Sequence, residues 1–217
     1  MNPKKKASKK RKGRAKPLHA VTRAEVDAIV RANDSRNPTG RLYKALCALL
    51  YASGLRIAEA IALTPGDLRR GKHGLEITVR NGKGGKARVT SADGWSDELL
   101  KSWEATRREI LGKAGRKLPL FCTISRGKAG KALTHQQIDR KLKVLGERAG
   151  LDWKLHAHAF RHGYAIGLLA EGESIPQIQA QLGHASPQVT AIYLASLDTS
   201  AGNKRIASRW RRGEIEE

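Results

Sequence analysis

Residues 75–90 read LEITVRNGKGGKARVT and contain a strand–turn–strand pattern. Apolar and polar residues alternate from Leu75 to Arg80, which is typical of a half-buried β-strand. The following sequence Asn81-Gly-Lys-Gly-Gly85 supplies turn residues, and the chain returns as a second strand over 86–90. We therefore predict an antiparallel β-hairpin with Lys83 at its tip.

Helical patterns dominate on both sides of this hairpin. Thr22 and Glu25 have the spacing of a capping box, and Gly54 is suited to the left-handed end of a leucine-rich helix. The predicted helices span about 22–31, 40–53, 56–63, 96–111, 134–150, 158–170, 176–183 and 199–210, with one more that opens at Ser186-Pro187 and carries Tyr193, and 118–125 is predicted as a short strand and loop. We expect an α+β protein, mainly α-helical, with a small antiparallel β-sheet.

The chain is strongly basic, with a formal net charge of +22 over 217 residues. Such self-repulsion favours a polyanionic partner, and nucleic acid is the expected one. A membrane surface is the competing interpretation, but no apolar run approaches the roughly 20 residues that cross a bilayer. The N-terminus lacks the apolar core of a secretory signal, so we expect a cytoplasmic protein.

The composition also predicts how the chain is divided. Residues 1–16 contain nine basic residues and no acidic one, so we predict a disordered basic N-terminal arm over 1–18. The length beyond it suits one catalytic-sized domain over 19–217. Cys47 and Cys122 match neither a disulfide framework nor a metal site, and we expect both thiols in the core.

Four separated segments carry the chemistry-bearing residues. They are Gly54-Leu-Arg56-Ile-Ala-Glu59, Gly82-Lys83-Gly84, His158-Ala-Phe-Arg161-His162, and Leu182-Gly-His184 followed nine residues later by Tyr193. In type, order and spacing these segments resemble the catalytic domain of the tyrosine recombinase, or phage integrase, family over roughly residues 20–210. Phe160 departs from the leucine that the family more often has there, and it conserves apolar packing.

The resemblance implies a site-specific DNA recombinase that cleaves and rejoins strands through a 3′-phosphotyrosine intermediate, with no metal and no other cofactor. The residues that it places around the scissile phosphate are Arg56, Lys83, His158, Arg161 and His184, with Tyr193 as the nucleophile and Glu59 and His162 in supporting positions. Two guanidinium groups suit the negative charge of a pentacoordinate phosphate. Each offers a planar fork to two oxygens, which a lysine cannot do.

The remaining roles follow from the chemistry of the leaving group and the nucleophile. The departing 5′-hydroxyl needs a proton, and the family pattern favours Lys83 over the nearby Lys86 as its donor. Tyrosine ionises near pH 10, so Tyr193 needs neighbouring positive charge and a proton acceptor. His158 and His184 could supply both, and the sequence leaves open which one is the general base.

Several alternatives compete with this interpretation. His158 and His162 have the spacing of a zinc pair, with His156 nearby, but the glutamate of a metallopeptidase helix and a third ligand are missing. The turn around Lys83 lacks the pattern of a nucleotide-binding P-loop. A type IB topoisomerase-like enzyme and a catalytically inactive DNA-binding relative remain alternative functions.

The resemblance also predicts partners. Family members act as tetramers on two DNA sites, so we expect a homotetramer whose C-terminal helix and tail, about 198–217, dock on a neighbouring subunit. Double-stranded DNA and accessory DNA-binding proteins are the other expected partners, and the family implies a nucleoid-associated protein of prokaryotic, phage or plasmid origin. Relatives commonly carry a helical clamp domain ahead of the catalytic domain, and here only the basic arm stands in that position.

Overall fold

The computed structural model describes residues 19–72, 74–82, 85, 87–125 and 127–183. Its α-helices are α1 (Arg23–Arg31), α2 (Pro38–Ser53), α3 (Ile57–Ala62), α4 (Gly94–Leu111), α5 (His135–Arg148), α6 (Ala157–Ala170) and α7 (Ile175–Leu182). Its strands are β1 (Leu68–Gly71), β2 (Gly74–Val79) and β3 (Arg88–Ala92), which form one antiparallel sheet in the order β1-β2-β3. The predicted class, mainly helical with a small antiparallel sheet, is confirmed.

Helix starts follow the capping residues. Thr22 and Glu25 form the predicted reciprocal capping box of α1. Helix α2 starts earlier than the predicted residue 40, because the Asn37 side chain accepts a hydrogen bond of 2.7 Å from the Gly40 amide and Pro38 occupies the first turn. It ends at Gly54, whose φ of 61° is the predicted left-handed stop.

The sheet is larger than the predicted hairpin. Strands β2 and β3 pair from Leu75 with Ala92 to Val79 with Arg88, which confirms the hairpin. Strand β1 was not predicted, because its sequence Leu-Arg-Arg-Gly is too short and too basic to show alternation and its pairing with β2 is what defines it. Region 118–125 contributes a single bridge, between Cys122 and Ala132, instead of a strand.

Helix α2 lies at the centre of the core and packs against α1, α4, α6 and strand β3. Its Leu46, Cys47, Leu49 and Leu50 are completely buried. The second cysteine, Cys122, is also buried, so both thiols lie in the core as expected. Among the described helices, none is both long enough and apolar enough to cross a membrane.

Among the described residues, helix α7 packs mainly against α6. Ile178 and Leu182 of α7 pack with Ala165 of α6 in a small apolar cluster separate from the main core. The helix ends at Gly183 in a left-handed conformation, with a φ of 63°. The predicted arm over 1–18, the helix that carries Tyr193 and the helix over 199–210 lie outside the described residues.

Candidate active site

Arg56 and Glu59 form a bonded unit at the start of α3. The Arg56 amide donates to Oε2 of Glu59 at 2.8 Å, and Nη1 of Arg56 donates to Oε1 at 2.9 Å. The Glu59 side chain is only 3% exposed, so this pair is not the solvated surface pair that the i,i+3 spacing alone would suggest. The second terminal nitrogen of Arg56, Nη2, donates to the carbonyl of Gly183 at 3.1 Å.

A second arginine binds the same carboxylate. Arg88, the first residue of β3, donates from Nη1 to Oε1 and from Nη2 to Oε2 of Glu59, each at 2.8 Å. Its Nε donates to the carbonyl of Gln181 at 3.1 Å. Arg88 therefore connects the sheet to both α3 and α7.

Burial of Glu59 opposes its ionisation, but hydrogen bonds and charge from Arg88 and Arg56 outweigh this effect and hold its pKa at about 2. The carboxylate is therefore charged at neutral pH. It orients two guanidinium groups while cancelling only one positive charge.

Arg161 lies on α6 and, among the predicted site residues that the structure describes, is the most buried, at 2% exposure. Its Nη1 donates to the carbonyl of Gly54 and its Nη2 to that of Leu182, both at 2.6 Å. Phe160 beside it is completely buried, so this position keeps its apolar packing role despite the departure from leucine.

His158 and His162 stand one turn apart on α6, with their ring centres 6.1 Å apart. Partial burial of the ring, followed by the charges of Arg161 and Arg56, lowers the pKa of His158, although its side chain stays open to solvent. The ring is therefore neutral at pH 7 and able to accept a proton. His158 stands three residues before Arg161 on α6, so their side chains lie on one face of that helix, and the charge of Arg56 also acts on the ring.

The structure thus brings together five of the eight predicted site residues: Arg56, Glu59, His158, Arg161 and His162. Lys83, His184 and Tyr193 lie outside the described residues. Within the described ranges, no group of three or more His, Cys, Asp or Glu side chains could hold a metal ion.

Sequence reasoning missed Arg88. Its signal was the phase of β3, in which Arg88 and Thr90 face inward while Val89 between them is 62% exposed. An arginine on the inner face of a strand requires a buried acceptor, and Glu59 was already a candidate for that role.

Comparison with known proteins places these features in a family. The model of the family described as "Phage integrase family" matches residues 19–200 of this chain. The "Tyrosine recombinase XerD" of Bifidobacterium longum (strain NCC 2705) is 31% identical over 175 residues, which cover 77% of this chain and 56% of the relative. The chain therefore spans little more than half the length of this curated relative.

Solved structures agree with the sequence comparison. The crystal structure of XerA recombinase is 26% identical with a TM-score of 0.72, and the match covers 90% of this chain and 66% of that one. The XerH site-specific recombinase, bound to palindromic difH substrate in a post-cleavage complex, is 24% identical with a TM-score of 0.72, and covers 90% and 54% respectively. These likenesses extend over nearly all of the chain.

Proposed function

Because the chain belongs to the phage integrase family of tyrosine recombinases, we propose that it is a site-specific recombinase that cuts and rejoins double-stranded DNA through a 3′-phosphotyrosine link. The observation that carries this proposal is the convergence of Arg56 and Arg161 on the end of α7, where their donors meet the carbonyls of Gly183 and Leu182. His184 is the next residue of the chain.

The two arginines are proposed to bind the non-bridging oxygens of the scissile phosphate. Charge concentrates on these oxygens in the pentacoordinate transition state, and guanidinium groups fixed in advance stabilise it without reorganising. Glu59 holds Arg56 from one side and Gly54 and Leu182 hold Arg161, so both groups are pre-oriented. His158, neutral and exposed beside them, is suited to hydrogen-bond the phosphate or to accept a proton.

Lys83, His184 and Tyr193 complete the proposed reaction. The Tyr193 hydroxyl gives its proton to His158 or His184 and its oxygen attacks phosphorus, while the bond to the 5′-oxygen breaks and Lys83 gives that oxygen its proton. The products are a 3′-phosphotyrosine and a free 5′-hydroxyl. A different 5′-hydroxyl then attacks the phosphotyrosine and releases Tyr193. Each step exchanges one phosphoester for another, so no ATP is required.

A trapping experiment tests this proposal. The full chain is incubated with a randomised duplex pool that carries one 5′-bridging phosphorothiolate at a fixed position, and covalent complexes are isolated in detergent and sequenced. The leaving thiol has a pKa of about 8.5, so it departs readily as a thiolate. It does not attack the phosphotyrosine as the natural 5′-hydroxyl does, so cleavage is not reversed and adducts accumulate. We expect adducts with the wild type and none with Tyr193→Phe.

The same substrates test Lys83. Lys83→Ala should cleave an all-oxygen nicked duplex of the selected sequence very slowly, and sulfur in the leaving position should restore its rate, because a thiolate leaves without a proton. Equal loss on both substrates would remove Lys83 from the general-acid role. Failure of the wild type to form an adduct with any member of the pool would contradict the recombinase proposal itself. Relaxation of supercoils without exchange between two sites would indicate a topoisomerase-like enzyme.

Residues 1–18 are proposed to act as a basic arm that follows the DNA backbone. Neutralising phosphates releases counterions, so deletion of 1–18 should weaken affinity and make it less steeply dependent on salt. Unchanged affinity across a salt series would contradict this role.

The domain over 19–217 is proposed to act as a homotetramer on two sites, with about 198–217 docking on a neighbouring subunit and accessory DNA-binding proteins assisting. Light scattering with and without two-site DNA tests the assembly.

The gene is proposed to belong to a phage, a plasmid or another mobile element. Repeats that flank the gene and match the selected DNA sequence would support this origin.

A further inference from the structure

Three consecutive carbonyl groups at the end of α7 each accept a hydrogen bond from a different arginine. Gln181 accepts from Arg88, Leu182 from Arg161 and Gly183 from Arg56. The last carbonyls of a helix have no partner within the helix and carry partial negative charge, so guanidinium groups suit them. The three donors come from β3, from α6 and from the start of α3.

These polar contacts matter because, among the described residues, α7 has few other contacts. Its apolar cluster with α6 is small and separate from the main core. Beyond that cluster, the hydroxyl of Tyr164 donates to the Gln181 side chain at 2.6 Å. The position of the last turn of α7 therefore depends strongly on the arginines that bind its carbonyls.

Arg88 binds both oxygens of the Glu59 carboxylate through its guanidinium group. Its Nε, Nη1 and Nη2 all donate to protein acceptors, and its side chain is 13% exposed. It also packs on Gly183, where an added Cβ would lie 3.2 Å from its Cδ. Three of its five N–H groups thus have protein acceptors, two of them on the carboxylate of Glu59, and this pairing with an anion favours a role in orientation over direct contact with a phosphate.

We propose that Arg88 is a positioning residue of the strand-transfer reaction. It holds Glu59, which orients Arg56, and it holds the last turn of α7, from which the chain continues directly to His184. This inference rests on the proposed function for its kinetic consequences, while the contact with α7 stands on the geometry alone.

Two variants test the proposal. Arg88→Met keeps an unbranched stem over Gly183 and removes the guanidinium group. Arg88→Lys keeps the charge but cannot contact both oxygens of Glu59 and the Gln181 carbonyl at once. The matched control is Arg69→Met on β1 of the same sheet, which removes the same charge from a side chain that is 84% exposed. This control should behave as the wild type.

The first measurement is single-turnover cleavage of the selected nicked duplex at saturating protein. We expect Arg88→Met to be about 10- to 100-fold slower, because a displacement of about 1 Å in a reacting group costs about that much. The dissociation constant for DNA should change less than about twofold. The loss should be equal with oxygen and with sulfur as the leaving atom, unlike that of Lys83→Ala. Arg88→Lys should also be slower than the wild type.

The second measurement needs no DNA. Hydrogen exchange of the amides of 180–183 should be faster in Arg88→Met than in the wild type, while amides of α2 keep their protection. If the methionine variant does not fold, Arg88→Lys carries both measurements.

Each contrary outcome overturns the assignment. A folded variant that cleaves at the wild-type rate removes Arg88 from the reaction. A rate loss matched by an equal loss of DNA affinity indicates a DNA contact. Unchanged exchange at 180–183 overturns the positioning of α7. If the wild type forms no adduct that depends on Tyr193, the proposed function fails, and the exchange measurement still decides whether Arg88 positions α7.

Discussion

Glu59→Gln is the substitution whose effect the structure constrains most closely. The carboxylate is buried and accepts four hydrogen bonds from Arg56 and Arg88. The glutamine side chain has nearly the same shape, but it is uncharged and replaces one acceptor oxygen by a donor. Two guanidinium groups are then left without their anion, which is the costly way to break a buried ion pair.

The pKa of Glu59 supplies the magnitude. It lies at about 2 in the folded protein against 4.5 as the ordinary value. At about 1.4 kcal/mol per pKa unit, the folded protein favours the charged form by roughly 3 kcal/mol. We expect Glu59→Gln to lower the free energy of unfolding by about this amount at pH 7, and the melting temperature by roughly 6–12 °C.

The dependence on pH makes the test specific. The folded pKa is depressed, so the contribution of the ionised carboxylate is complete above about pH 4.5 and is lost as the pH falls through about 2. Urea denaturation at a series of pH values should therefore show the gap between wild type and Glu59→Gln closing in that range. The control is Glu98→Gln, which alters an exposed carboxylate paired with Lys101 and should match the wild type.

A stability gap near zero at pH 7 would refute the reasoning, because the carboxylate would then not be held by the arginines. A gap that persists unchanged down to pH 2 would also refute it, since the loss would come from packing and not from charge.

Three further predictions concern residues of the same region. Histidine NMR of the DNA-free protein should give His158 a titration midpoint below 6.5, because burial and nearby arginines disfavour its protonation, and a midpoint above 6.5 would contradict this. Arg161→Lys should slow cleavage about 100- to 1000-fold, because lysine keeps the charge but loses the planar, fixed donors that meet the transition state, and single-turnover kinetics measures it. Gly54→Ala should destabilise the fold by about 2–5 kcal/mol in urea denaturation, because φ is 61° and the new Cβ would lie 2.3 Å from Tyr164. Gly150→Ala is its control, since φ is 79° there and no atom lies within 4 Å, so it should lose only the part due to φ.

Local signals in the sequence predicted local structure well. The capping box of Thr22 and Glu25 and the left-handed stop at Gly54 depend on residues within one or two turns, so their interpretation needed no tertiary information. The hairpin was likewise predictable from alternation and turn residues. Strand β1 was not, because its two arginines and terminal glycine resemble a loop until β2 pairs with them.

The site was predictable only in part, for a related reason. Arg56, Glu59, His158 and Arg161 were predicted from the family resemblance that the spacing and order of four segments carry. Arg88 joins Glu59 across 29 positions of sequence, and nothing near it in the chain indicates which acceptor it meets. The phase of β3 shows that it points inward, but the identity of the buried partner is a property of the fold.

The choice of acceptors explains how this cluster keeps its charge. Every arginine of the site needs partners that fix its orientation, and a carboxylate for each would cancel the charge that a phosphodiester has to meet. The carbonyls of α7 and of Gly54 orient guanidinium groups without neutralising them, and Glu59 is the only carboxylate bonded to Arg56 and Arg88 among the described residues. Arg56, Arg88 and Arg161 with Glu59 therefore retain a net positive charge. In the proposed reaction these guanidinium groups stabilise the transition state best when the end of α7 is in place, because its carbonyls orient them.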